Sequence, residues 1–236
     1  MPGHVSTAGA LPQARSSERA PRSDASVALL VAALCAAAML LVWAVFEHVA
    51  AFELRDATLL YDFTLLDGPR LGSACTKLLH LLEPGRFVIW GAGLVLVALA
   101  RERPRVALAV ALVMGLAPLS SEILKPLLAH PHPSVGYTHI GPASWPSGHA
   151  TAATALALSV VLVTPSRWRV IAAVGAAALM LAVGFALLVR EWHLPSDVLG
   201  GYLMGSLWMA LAVACLRGSE ARWPRRVRDG DAASVT

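Results

Sequence analysis

The stretch "SWPSGHATAATALALSVVLV", residues 144–163, places a Pro, a Ser, a Gly and a His directly before a long apolar run. A serine in front of a helix commonly caps its first amide groups, and a glycine lets another group approach the backbone closely. The stretch therefore predicts a helix that begins near Gly148, with His149 in its first turn. His149 is then either a polar group at a membrane surface or one member of a catalytic set drawn from distant parts of the chain.

The composition is that of a membrane protein. Of 236 residues, 57% are hydrophobic and 14% are charged, and the mean hydropathy is +0.64. An apolar run of about 20 residues crosses a hydrocarbon core of about 30 Å at about 1.5 Å per residue. We therefore predict an all-α integral membrane bundle and not a soluble globular domain.

We predict about six transmembrane helices within a membrane domain at 26–216, between a disordered cytoplasmic N-terminus at 1–25 and a basic cytoplasmic tail at 217–236. The predicted spans are residues 26–49, 87–100 (a short one), 106–124, 148–164, 169–189 and 197–216.

The segment 51–86 is polar at intervals of three to four residues, which indicates one or two amphipathic helices at the outer surface. Such helices either cover an active-site mouth or a lipid entrance, or merely connect two spans.

The distribution of Lys and Arg predicts the orientation. Cations accumulate in cytoplasmic segments, and most of the 19 Lys and Arg fall on one side if the N-terminus is cytoplasmic. We therefore predict both termini in the cytoplasm, in a bacterial cytoplasmic membrane. The basic tail then sets the topology and touches anionic lipid, so the net charge of +4 predicts no nucleic-acid partner.

Three polar clusters meet at the predicted outer face. Lys125 ends the third span, the Pro-Ser-Gly-His sequence at 146–149 opens the fourth, and "REWHLPSD" at 190–197 joins the fifth to the sixth. Ionisable groups at membrane depth are costly and usually face a polar cavity. The clusters therefore predict one outward-facing polar pocket.

The pocket residues suit phosphoryl transfer. The helix start at Ser147 and Gly148 offers free amides and a positive dipole end to a phosphate. Lys125 is either a cation for the phosphate oxygens or an end-of-helix lysine that extends to the interface.

The histidines supply the reactive groups. His149 and His193 can exchange protons or act as nucleophiles near neutral pH. Asp197 follows His193 by four residues, and we expect it to hold one imidazole nitrogen and leave the other free to attack phosphorus. Pro195 is expected in the first turn of the last span.

No metal or other cofactor is predicted. The three cysteines do not form a disulfide framework, and the eight histidines lack a zinc-type pattern of Cys or carboxylate neighbours.

Glu122 is expected to pair with Lys125 or a loop donor, and Gly201 and Gly205 form a small-residue face for helix packing.

These motifs resemble the membrane-bound type 2 phosphatidic acid phosphatases, the PAP2 family, which shares a core with vanadium haloperoxidases. The family's second motif, Pro-Ser-Gly-His, is complete at 146–149, and the His-to-Asp part of its third motif is present at His193 and Asp197. The order and placement also match, so the resemblance covers roughly residues 50–216.

The resemblance implies a role for each residue. His193 would be the nucleophile that forms a phosphohistidine, Asp197 its orienting partner, and His149 the acid that protonates the leaving oxygen. Lys125, Ser147 and the Gly148 amide would bind phosphate, without a metal.

Two arginines of the family motifs are absent. His132 stands where the first motif has Arg, with His130 in an alternative register, and Leu187 stands where the third motif has Arg. Arg190 lies about one turn closer to the loop and is the candidate replacement. We therefore predict Arg190 and His132 as further phosphate-binding residues, with protonated His130 or His132 favouring activity under mildly acidic conditions.

The predicted function is hydrolysis of a phosphate monoester or pyrophosphate on a membrane lipid, of the isoprenoid-carrier or phosphatidate type. Two alternatives stay open. One is a lipid phosphotransferase on the same scaffold, and the other is a catalytically weakened lipid-binding member, for which the missing arginines are the argument.

Overall fold

The computed structural model describes residues 19–222, and every regular element within that range is helical. The predicted all-α class is therefore confirmed. A short 3-10 turn at Ser166–Trp168 precedes α7. The helices are α1 Arg19–His48, α2 Ala50–Thr64, α3 Pro69–His80, α4 Pro84–Ala100, α5 Pro104–Leu127, α6 Gly148–Val163, α7 Arg169–Val189 and α8 Pro195–Arg222.

Several predicted boundaries differ from the structure. Helix α1 begins at Arg19, inside the segment predicted to be disordered, and α8 continues past 216 to Arg222. The predictions for residues 1–18 and 223–236 lie outside the described residues. The segment 51–86 contains two helices, α2 and α3, within the prediction of one or two.

Within the described range, four helices are long and apolar enough to cross a membrane, namely α1, α5, α7 and α8. Helices α3 and α4 pass the same test only as a pair bent by 56°, and α6 is apolar but has 16 residues. The expectation of six spans is therefore too high by this criterion, because α4 and α6 are short. Each predicted span nevertheless coincides with a helix.

Helix α6 is central, because it packs against α4, α5, α7 and α8. Its buried face consists mainly of Ala and Thr, and α8 meets it through glycines. A Cβ atom at Gly201 would lie 2.6 Å from the Ser147 carbonyl oxygen, and one at Gly205 would lie 2.6 Å from Thr154 Cβ. The predicted packing role of these glycines is confirmed, and their contact brings the starts of α6 and α8 together.

Candidate active site

The Pro-Ser-Gly-His sequence forms the capped start of α6, as predicted. Ser147 is fully buried, and its Oγ accepts a hydrogen bond of 3.3 Å from the Ala150 amide. Its own amide donates to the Asp197 carbonyl oxygen over 3.0 Å. From α5, Ser121 Oγ donates to the Pro146 carbonyl oxygen over 2.8 Å. The start of α6 is thus fixed to α5 on one side and to α8 on the other.

His193 and Asp197 are in contact at the start of α8, which begins at Pro195 as predicted. His193 Nδ1 lies 3.3 Å from Asp197 Oδ2, and the Leu194 amide donates to the same oxygen over 2.9 Å. The carboxylate is fully buried and can only accept hydrogen bonds, so Nδ1 carries a proton in this arrangement. Nε2, the other ring nitrogen of His193, is not bonded to Asp197.

His149 lies in the first turn of α6, close to the other predicted site residues. Its ring stacks edge-on against Trp192, with 5.3 Å between ring centroids. His193 and Lys125 are both near enough to interact electrostatically with it. The structure therefore brings His149, His193 and Lys125 to one place.

Lys125 sits against the start of α6. A Cβ atom at Gly148 would lie 3.4 Å from Lys125 Nζ and 2.8 Å from Glu122 Oε1, so the ends of both side chains lie directly against this position. Lys125 Nζ donates to Glu122 Oε1 over 2.6 Å, which confirms the predicted pairing. Glu122 is mostly exposed, with 61% of its side-chain surface accessible, so it can be displaced by another anion.

Arg190 is directed toward α3 by its partner. Its guanidinium forms an ion pair with Asp67, in the turn between α2 and α3, and it borders Gly72. Across the described residues, no hydrogen bond joins Arg190 to Lys125 or to the start of α6. These contacts do not support the prediction that Arg190 replaces a missing motif arginine.

The two loop histidines have protein partners. His132 Nε2 lies 3.1 Å from Ser144 Oγ, and His130 Nε2 lies 3.3 Å from Glu53 Oε1. Burial lowers the pKa of His132 below its ordinary value of 6.5. The positive charge that the sequence suggested for His132 is therefore disfavoured near neutral pH.

Asp56 of α2 is a site neighbour that sequence reasoning did not identify. It is buried, accepts a hydrogen bond of 3.2 Å from the Ser196 amide and contacts Ser196 Oγ at 2.5 Å. Burial raises the pKa of Asp56 to about 6, and Asp197 acts in the same direction, whereas the bonds from Ser196 oppose the shift. Nothing local distinguishes this carboxylate in the sequence, since its partner is 140 residues away.

The comparisons with known proteins agree with the motifs. Residues 106–220 match the model of the PAP2 superfamily, which confirms the resemblance. A solved structure, a transmembrane PAP2-type phosphatidylglycerolphosphate phosphatase from Bacillus subtilis, has the same fold, with a TM-score of 0.62 and 23% identity. The alignment covers 87% of this chain and 99% of the Bacillus chain. No curated protein matches the sequence.

Proposed function

We propose, on the premise that residues 106–220 carry a PAP2-type domain, that this integral membrane protein hydrolyses a phosphate monoester or pyrophosphate on a membrane lipid. The coarser assignment, a membrane lipid phosphatase, is supported by the family match and by the PAP2-type neighbour. The proposal has three finer parts. The substrate is of the isoprenoid-carrier or phosphatidate class, the reaction passes through a phosphohistidine, and the site faces outward with both termini in the cytoplasm.

One observation carries the mechanism: His193 is held by Asp197 beside the capped start of α6. The Ser147 amide donates to the Asp197 carbonyl oxygen over 3.0 Å, and His193 Nδ1 lies 3.3 Å from the Asp197 carboxylate. A nucleophile oriented by an acceptor, next to a helix start and a lysine, is the set that phosphoryl transfer requires.

The proposed reaction has two steps. In the first, His193 Nε2 attacks phosphorus, the bond to the lipid oxygen breaks, and His149 donates a proton to that oxygen. In the second, water attacks the phosphohistidine, the phosphorus–nitrogen bond breaks, and His149 takes the proton from the water. Lys125, Ser147 and the Gly148 amide bind the phosphate oxygens, and no metal takes part.

The test is phosphate release by the purified protein in lipid–detergent micelles. Substrates would include phosphatidate, an isoprenyl monophosphate and an isoprenyl pyrophosphate, each with and without a chelator. We expect His193→Ala to lower kcat by at least about 10³-fold, because the proposed covalent intermediate forms on the His193 ring. His80→Ala changes a half-exposed histidine that is paired with Glu83 and serves as the matched control.

Absence of release from every lipid by the unmodified protein would reject the hydrolase. Such a result would favour the weakened lipid-binding alternative, which is supported by the pairing of Arg190 with Asp67. Transfer of phosphate to an added acceptor alcohol, at the expense of free phosphate, would identify a phosphotransferase. Full activity of His193→Ala would reject the phosphohistidine.

A further inference from the structure

Asp197 is the centre of a longer chain of hydrogen bonds than the His193 contact alone. While His193 and the Leu194 amide share Oδ2, the other oxygen, Oδ1, accepts from Ser144 Oγ over 3.1 Å. Ser144 in turn lies 3.1 Å from His132 Nε2. Ser144 and His132 both belong to the segment between α5 and α6. This loop therefore bonds to one carboxylate oxygen of Asp197, and His193 bonds to the other.

The number of available protons determines which group donates in each of these hydrogen bonds. The ionised carboxylate accepts only, so the single hydroxyl proton of Ser144 must go to Asp197. Ser144 then has no proton for His132, and the contact between them requires that His132 Nε2 donates. His132 therefore carries its proton on Nε2, and the chain runs from His132 to Ser144 to Asp197.

This direction has a consequence for the nucleophile. A serine hydroxyl rotates freely, and an unprotonated Nε2 on His132 would draw its proton away from Asp197. A donating Nε2 instead occupies a lone pair of Ser144 and keeps the hydroxyl pointed at Oδ1. With Oδ1 held in this way, Oδ2 stays in place to accept from His193 Nδ1 and to keep Nε2 free.

We propose that Ser144 and His132 are positioning residues for the His193–Asp197 pair, and that His132 acts through Ser144 and not as a phosphate ligand. This inference rests on the proposed function for its kinetic consequence, but not for its structural one. His132, which stands at the position of the missing motif arginine, would then orient Asp197 through Ser144 and would not contact the phosphate.

The kinetic test compares four variants. Ser144→Ala removes the donor to Asp197, and we expect kcat to fall about 10-fold with KM changed less than about twofold, since one buried hydrogen bond is lost. His132→Leu should have a smaller effect of the same kind, and His132→Gln, which keeps an N–H donor, should restore most of kcat. The control is Ser134→Ala, because Ser134 contacts His139 in the same loop at an exposed position.

The inhibition constant of inorganic phosphate separates positioning from phosphate binding. We expect it to be unchanged in Ser144→Ala and His132→Leu. A weaker phosphate affinity in His132→Leu, with kcat intact, would overturn the proposal and return His132 to the phosphate site.

A second measurement is independent of turnover. In protein labelled with ¹⁵N-histidine, ¹⁵N–¹H correlation spectra report which ring nitrogen is protonated, and His193→Gln identifies the His193 signals. We expect the Nδ1–H form of His193 in the unmodified protein and in Ser134→Ala, and a mixture of both forms in Ser144→Ala. An unchanged Nδ1–H form in Ser144→Ala would overturn the proposal even if no lipid substrate is hydrolysed, whereas absence of turnover with the expected spectra would reject only the proposed function.

Discussion

Two clusters at the candidate site are built in opposite ways. In the nucleophile cluster, which consists of His193, Asp197, Ser144 and His132, the polar groups bond to one another around a fully buried carboxylate. What we call the cation cluster is two separate ion pairs, Lys125 with Glu122 and Arg190 with Asp67, and both of these carboxylates are more exposed than Asp197. In the proposed mechanism the reacting atom is therefore oriented before substrate arrives, whereas Lys125 would have to exchange Glu122 for phosphate.

Because of this difference, we expect one cluster to affect the stability of the fold and the other to affect the binding of phosphate. Buried polar groups that satisfy each other are coupled to the packing around them, so disturbing them changes stability. Exposed ion pairs contribute only about 0–1 kcal/mol, so phosphate can displace Glu122 from Lys125 at little cost. We expect changes near the nucleophile cluster to alter the free energy of unfolding, and a change at Lys125 to alter activity alone.

The largest expected effect on stability comes from Asp56, which joins α2 to the nucleophile cluster through Ser196. Its pKa of about 6 lies above the ordinary 3.8, so the folded state holds the proton more tightly than the unfolded chain. The stability that protonated Asp56 contributes to the fold is therefore fully present below about pH 4 and is lost as pH rises to about 6. The loss is on the order of 3 kcal/mol in the free energy of unfolding.

Asp56→Asn removes this titration. The difference in unfolding free energy between variant and unmodified protein should shift in favour of the variant by roughly 3 kcal/mol from pH 4 to pH 7, as measured by denaturant unfolding in micelles. Asp62→Asn, an exposed position on the same helix, is the control and should show no such shift. A pH-independent difference for Asp56→Asn would show that this carboxylate is not coupled to folding.

Lys125→Met tests the cation that lies against the start of α6. Loss of a charge-assisted hydrogen bond to the phosphate oxygens, worth about 1.5–3 kcal/mol, should lower kcat/KM by about 10- to 100-fold. The unfolding free energy should stay within about 0.5 kcal/mol of the unmodified value.

Glu122→Gln is the counterpart of Lys125→Met, because it frees the lysine of its competing anion. We expect it to strengthen inhibition by inorganic phosphate a few-fold, by roughly the 0–1 kcal/mol of the exposed pair. If Lys125→Met instead unfolds the protein while kcat/KM per folded molecule is unchanged, the division between the two clusters does not hold.

The parts of this site that the sequence predicted are local ones. The cap at Ser147, the four-residue step from His193 to Asp197 and the helix start at Pro195 follow from the rules of a first helical turn. The Ser144–His132 contact depends instead on how the segment between α5 and α6 folds back, and the Asp56–Ser196 contact joins residues 140 apart. No periodicity encodes such contacts.

The prediction for Arg190 shows the same limit, because it was made from helical spacing alone. Helical spacing placed it one turn from the missing motif arginine, but spacing does not state which anion lies nearest, and the turn between α2 and α3 brings Asp67 to it.

The smallest expected effect therefore concerns Arg190. Because its guanidinium is held by Asp67 and faces α3, Arg190→Ala should change kcat/KM less than about threefold, and Asp67→Asn should do the same. Both variants would be assayed beside Lys125→Met with the same lipid phosphate. A loss of 10-fold or more in Arg190→Ala, together with a gain in Asp67→Asn, would mean that Arg190 leaves Asp67 to bind substrate. The cation cluster would then be a clamp that closes on phosphate, because releasing an arginine from a competing carboxylate favours the phosphate-bound state.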